Sequence, residues 1–252
     1  MAAQVRFTPE MFINYFVKQR NISVEEIGVA PTVIGSWSGG LIRSLVKATG
    51  ATVSEHWLYG TNRPLYTGRV HGKPVSFICF PVGAPGTIMM MEEMIACGAK
   101  TFIGVGFAGS LQPHIPIGSF IIPTHCIAEE GTSKHYTEAG EVEMKPSTRL
   151  LDKLTKTCRQ AGRKYFTGLQ WTTDAIYQEY IDKIERYREQ GVLGVDMETS
   201  AMYALGQLRN VEVCNLLVVS DEVWHNWNPG FHGDALQEAV QAAQKVVLQT
   251  IS

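Results

Sequence analysis

The chain is 252 residues long, 45% hydrophobic and 18% charged, with a formal net charge of −2. That length and composition suit a single α/β domain with a sizeable core and exclude a disordered chain. The balanced charge, without a run of Lys or Arg along the sequence, excludes a basic footprint for nucleic acid.

The N-terminus, MAAQVRFTPEMFINYFVKQR, carries scattered charges rather than an unbroken apolar run. Neither a signal peptide nor a membrane span is expected there, and a cytoplasmic (cytosolic) protein is. After this helical stretch, PTVIGSW has the pattern of a short buried strand ending in a Gly/Ser loop. LYTGRV and KPVSFICF form a predicted hairpin turned at His71-Gly72. The second strand feeds GAPG and a helix, TIMMMEEMIACG, with Gly98 as its C-cap. Strands TFIGVG and SFIIPTHCIA follow, separated by a Pro-rich loop.

The second half alternates more regularly. A helix at about 148–161 precedes strand YFTGLQWTT, helix YQEYIDKIERYREQ, strand VLGVDM, helix TSAMYALGQL and strand VEVCNLLVVSD. A last amphipathic helix, DALQEAVQAAQKVVLQTI, closes the series. Val-, Ile- and Leu-rich strands separated by helices predict a mixed, largely parallel central sheet covered on both faces. No repeat or low-complexity linker divides it, so residues 1–252 are expected to form one domain. In such folds ligands bind where strands end.

Five cysteines form no C-x-x-C pair and are expected to be buried, reduced thiols. Seven histidines show no metal-binding spacing, so no metal is expected. GVGFAG, residues 104–109, matches the dinucleotide fingerprint G-x-G-x-x-G after a predicted strand. That motif works only where a helix begins at the glycines and its amides hold a pyrophosphate. Pro113 and Pro116 would interrupt such a helix, so the match is read as a decoy and no dinucleotide cofactor is expected.

Two acids fall at strand ends. Glu198 follows VLGVDM at the first turn of a helix, where an acid ordinarily serves as a cap. Asp221 ends the buried run NLLVVSD. Two carboxylates opening on one crevice suit divided work, one holding sugar hydroxyls and the other donating a proton to a leaving group. Donation at neutral pH requires a carboxyl whose pKa is raised by burial or by a neighbouring charge.

VGAPGTIMMMEEMIACGAK, GVGFAGSL, EEGTSKHY, TTDAIY, GVLGVDMETSAMYALG and VVSDE, in this order and spacing, resemble the nucleoside phosphorylases of the purine nucleoside and uridine phosphorylase type. The resemblance implies a three-layer α/β/α fold and cleavage of an N-glycosidic bond by phosphate, giving free base and pentose 1-phosphate. It makes the chain a pentosyltransferase without a cofactor, phosphate being the co-substrate. It also implies a homo-oligomer, a dimer, trimer or hexamer. Met197 and Glu198 match the ribose-binding pair, Tyr177 the aromatic against the base, and Ser220 with Asp221 the pair that serves N7 of a purine. Pyrimidine-cleaving relatives carry a Gln-x-Arg pair shortly after the aromatic, where this chain reads YQEYID, which tilts the expected substrate toward a purine.

The pattern departs from the family where phosphate should bind. Gly-Asp-Pro-x-Arg is replaced by GSWSGGLIR, which keeps Gly35, adds Trp37 and moves the nearest arginine to Arg43. A second expected arginine is Gly104, and the small hydroxyl of the later loop is Phe107. Gly35, Ser36, Arg63 and Gly106 are the remaining candidates for phosphate, with Ser38 and Gly39 completing a possible nest of amides and hydroxyls, or else only a flexible turn. Two alternatives therefore stand beside the phosphorylase: a nucleoside hydrolase using water, and a non-catalytic nucleoside-binding protein.

Overall fold

The computed structural model describes residues 5–137 and 143–251. Helix α1 (Pro9–Arg20) starts with Thr8 accepting the Met11 amide and proline in its first turn, and it ends on left-handed Asn21. Then come β1 (Thr32–Ser36), α2 (Gly39–Thr49), a short β2 (Thr52–Val53), and the hairpin β3 (Leu65–Val70) and β4 (Lys73–Cys79). His71 and Gly72 both adopt positive φ (49° and 78°), the left-handed pair that a two-residue hairpin turn requires. Helix α3 (Ala84–Ala96) leads to two long strands, β5 (Thr101–Ser110) and β6 (Phe120–Glu129). The second half contains α4 (Thr148–Gln160), β7 (Tyr165–Thr173), α5 (Ile181–Glu189), β8 (Gly194–Asp196), α6 (Thr199–Arg209), β9 (Glu212–Glu222), a short β10 (Asn228–Pro229) and α7 (Asp234–Thr250).

Two elements differ from the sequence reading. The Gly/Ser stretch after β1 is mostly helix: Ser38 accepts the Leu41 amide and opens α2, an amphipathic helix that buries Leu41, Ile42 and Leu45. Its paired glycines masked the helical period. The expected helix YQEYIDKIERYREQ is split into a 3-10 turn, Ile176–Gln178, and α5.

The strands form one mixed sheet in the order β10-β9-β6-β7-β8-β5-β1-β4-β3-β2, with an additional pairing of β9 to β5. That pairing closes β5, β8, β7, β6 and β9 into a ring. Strands β1 and β4 extend from it in parallel, and β3 returns antiparallel. Two large cores cover the two faces. Leu41, Leu45, Leu154 and Val246 bring α2, α4 and α7 to one of them. Ile13, Ile88, Met91 and Met202 bring α1, α3 and α6 to the other. The result is the expected layering of helices, sheet and helices, and burying each such side chain contributes roughly 1.5–3 kcal/mol. Among the described residues no helix is long and apolar enough to cross a membrane.

The fingerprint run 104–109 lies inside β5. Its residues are laddered to β1, β8 and β9, so no helix begins at these glycines.

Candidate active site

β5 ends between two partners. Gly109 pairs with Val195 of β8 on one side and Asp221 of β9 on the other. A side chain at Gly109 would meet Val195 at 3.2 Å and the Asp221 carboxylate at 3.6 Å. The strand ends carrying the two sequence-predicted acids are therefore neighbours across one residue.

The corner between β8 and α6 distributes its acids unequally. Asp196, 7% exposed, accepts the Glu198 and Thr199 amides at 3.4 Å each, the Thr199 hydroxyl at 2.5 Å and the Thr172 hydroxyl at 2.8 Å. It caps α6 and ties the helix to β7. Glu198 occupies the N-cap position, but its side chain makes no capping bond. Instead its Oε1 accepts the Gly83 amide at 2.6 Å, at the start of α3. The capping that an acid at a helix start ordinarily performs falls to Asp196 instead. Released from its own helix, Glu198 is 6% exposed, and burial pushes its carboxyl up to about 8. The Asp196 charge adds to the rise, while the Gly83 and Met197 amides oppose it. Met197 between them is half-buried.

Asp221 is held in place on both oxygens. Oδ1 accepts the Ser220 hydroxyl at 2.7 Å and Oδ2 accepts the Trp227 indole N–H at 2.9 Å. Beside it stands a third carboxyl that the sequence reading missed. Glu179, half-buried just after the 3-10 turn, is pushed up to about 7 by burial first and by the Asp221 charge second. Its position in YQEYID gave no signal, because the broken helix brings it toward β9. Tyr177, two residues earlier and within the turn, is 93% exposed.

The β1 end of the site is packed differently. The Phe80 ring fills the space beside Gly35, so a methyl there has no room. Ser36 is fully buried and its hydroxyl accepts the Ser38 amide at 3.1 Å. Gly106 is covered by Trp37, whose ring would lie 2.7 Å from a methyl at that position. The Trp37 indole N–H donates to Thr87 at 2.8 Å and its ring tilts against Phe80. Gly104 leaves room for the buried Asn215 amide, where a larger side chain would collide. Phe107 packs into the α2, α4, α7 core.

Two guanidinium groups converge at the end of β4. Arg63 donates to the Cys79 carbonyl at 3.3 Å. Burial raises the Cys79 thiol, and the charges of Arg63 and Arg43 oppose that rise. Arg43 folds back over the first turn of α2, its Nη1 3.2 Å from where a Gly39 methyl would be. The glycine pair 39–40 thus makes room for a cation at a helix N-terminus, where the dipole disfavours positive charge unless an anion joins it. Neither arginine takes part in an ion pair among the described residues.

Comparison with known proteins places these corners in a family context. The family model described as the phosphorylase superfamily matches residues 39–252. The chain is 28% identical over 193 residues to a uridine phosphorylase of Thermococcus kodakarensis, covering 71% of this chain and 69% of the relative. It is 30% identical over 159 residues to a DeoD-type purine nucleoside phosphorylase of a Thermoanaerobacter species, covering 63% and 68% respectively. A crystal structure of uridine phosphorylase from Vibrio fischeri superposes with a TM-score of 0.78 at 26% identity, covering 89% of this chain and 93% of that one.

Proposed function

The chain belongs to the phosphorylase superfamily, and on that premise we propose that it is a nucleoside phosphorylase, a pentosyltransferase that moves the pentose of a purine nucleoside from the base to phosphate. The observation that carries this reading is the freed carboxyl of Glu198, buried at the α3 N-terminus while Asp196 does the capping. Burial holds this carboxyl protonated near neutral pH in the free chain; as vicinal sugar hydroxyls donate to it and it releases its proton, each charge-assisted bond contributes roughly 1.5–3 kcal/mol. Met197 lies against the same sugar.

On the base side, Glu179, raised to about 7 by burial and by the Asp221 charge, holds a proton near neutral pH beside the Asp221 carboxyl. Phosphate oxygen bonds to the anomeric carbon as the glycosidic C–N bond breaks. The electron pair passes into the base, and the proton held by Glu179 goes by way of Asp221 to purine N7. Glu198 favours the positive charge that develops on the sugar. Ser220 orients Asp221, and Tyr177 closes over the base from its turn. The absence of a Gln-x-Arg pair supports purine over pyrimidine.

For the phosphate, Phe80 and Trp37 occupy the ground beside Gly35 and Gly106. The anion is therefore assigned to the α2 N-terminus, with Ser38, Arg43 and Arg63 in place of the family's loop. A nucleoside panel incubated with and without phosphate, with products separated by chromatography, tests the whole reading. Phosphate-dependent release of a purine with pentose 1-phosphate is expected. Release at equal rates without phosphate would establish a hydrolase instead, and binding without release a storage protein.

A further inference from the structure

The sequence shows no run of basic residues, yet the fold assembles one. A cleft of about 700 Å³ is lined by Lys153, Lys156 and Arg163 from α4 and the turn after it, Lys245 from α7, and His71 from the β3–β4 turn. Among the described residues no aspartate or glutamate lines it. This concentration occurs in a chain with 22 basic and 24 acidic residues, so it is a local excess rather than a reflection of overall charge. Among the described residues, Lys156, Arg163 and Lys245 enter none of the ion pairs. The C-terminal ends of α4 and α7 border the cleft and favour cations, but two helix ends offset only about one unit charge between them. Lys156, Arg163 and Lys245 alone exceed that.

The cleft shares no lining residue with the candidate active site. His71, in the turn that leads into β4, lies at the far end of that strand from Cys79, whose carbonyl accepts from Arg63. Its volume falls within the ordinary range for small-molecule sites, roughly 300–1,000 Å³. Among the described residues its lining contains no aromatic platform for stacking single-stranded bases, His71 being the one ring.

We propose that this cleft is a second binding site, for a small anion of the polyphosphate class carrying two or three linked phosphates. A single phosphate engages one or two cations, whereas a linked chain spans lysines from α4 and α7 at once and relieves their mutual repulsion. The probe is inorganic triphosphate, titrated calorimetrically into the full chain at about 50 and 200 mM salt. Saturable binding of one triphosphate per chain is expected, weaker at the higher salt. Replacing Lys156→Gln together with Lys245→Gln should weaken it by about tenfold or more, since two charge-assisted contacts are lost.

Two controls separate this site from other sources of binding. Lys18→Gln with Lys134→Gln removes the same net charge from exposed positions elsewhere and should leave affinity within about twofold. Arg43→Ala with Arg63→Ala should also leave it within about twofold, because those arginines line no part of the cleft. No saturable binding, equal weakening by both lysine pairs, or loss confined to the arginine variant would overturn the proposal. So would tighter binding of single-stranded RNA through Lys156 and Lys245.

Discussion

The β8–α6 and β1–α2 corners use the same backbone device to different ends. In each, the last strand residue accepts the amide two positions on: Asp196 from Glu198, and Ser36 from Ser38. In each, the helix begins one residue later. At the first corner the strand-end residue also takes over capping, which frees the N-cap acid to reach the Gly83 amide. At the second, Ser38 caps its own helix, and the side chain that reaches across the site is Trp37, bound to Thr87. The side chain a corner delivers to a site thus depends on which neighbour satisfies the helix amides.

The sharpest break of this comparison is Glu198→Ala. With the freed acid gone, nucleoside cleavage should fall by more than about 10³-fold, while circular dichroism stays that of the folded chain. Near-normal turnover would remove Glu198 from the sugar site. Next, Asp221→Asn should slow cleavage by about 10²–10⁴-fold in single-turnover assays. A change under about threefold would leave Asp221 a positioning group for Glu179. On the other corner, Arg43→Ala with Arg63→Ala should raise the KM for phosphate by about 30-fold or more with little change in nucleoside affinity. An unchanged KM would return the anion to the strand glycines.

The pH dependence of stability gives a finer measure. The fold holds the Glu198 carboxyl near 8 against an ordinary 4.5, so it favours the protonated form. Its contribution is full below the unfolded value and is lost as pH rises through the folded one. Glu198→Gln should therefore raise Tm over wild type at pH 8, by about 3 °C or more, and by less at pH 5. A gain that is equal at both pH values would mean that Glu198 stays ionised in the fold. The smallest effect belongs to Tyr177→Ala, expected to raise nucleoside KM about threefold or less, since its ring is mostly solvated.

Most of the layered architecture was legible because its strands are Val- and Ile-rich runs with clear turns, as at His71-Gly72. Helix α2 was hidden because Gly39 and Gly40 carry no helical period, although Leu41, Ile42 and Leu45 lie within it. Glu198 and Asp221 could be found because both follow long apolar runs. Their environment could not be read: the hydroxyls that hold Asp196 in its capping position come from β7 and α6, set by register rather than local sequence. Glu179 was invisible for the same reason, since only the break between the 3-10 turn and α5 turns it toward Asp221. The packing of Trp37 on Gly106 joins residues about seventy positions apart, a contact that no local pattern encodes.

The circular closure of β5, β8, β7, β6 and β9 leaves half the sheet without a free edge. A hoop of this kind resists splaying, because widening it anywhere would rupture a ladder of amide bonds. A fixed hoop leaves changes of access to the segments at its rim, such as Ile176–Gln178 and the Trp227 side chain that donates to Asp221.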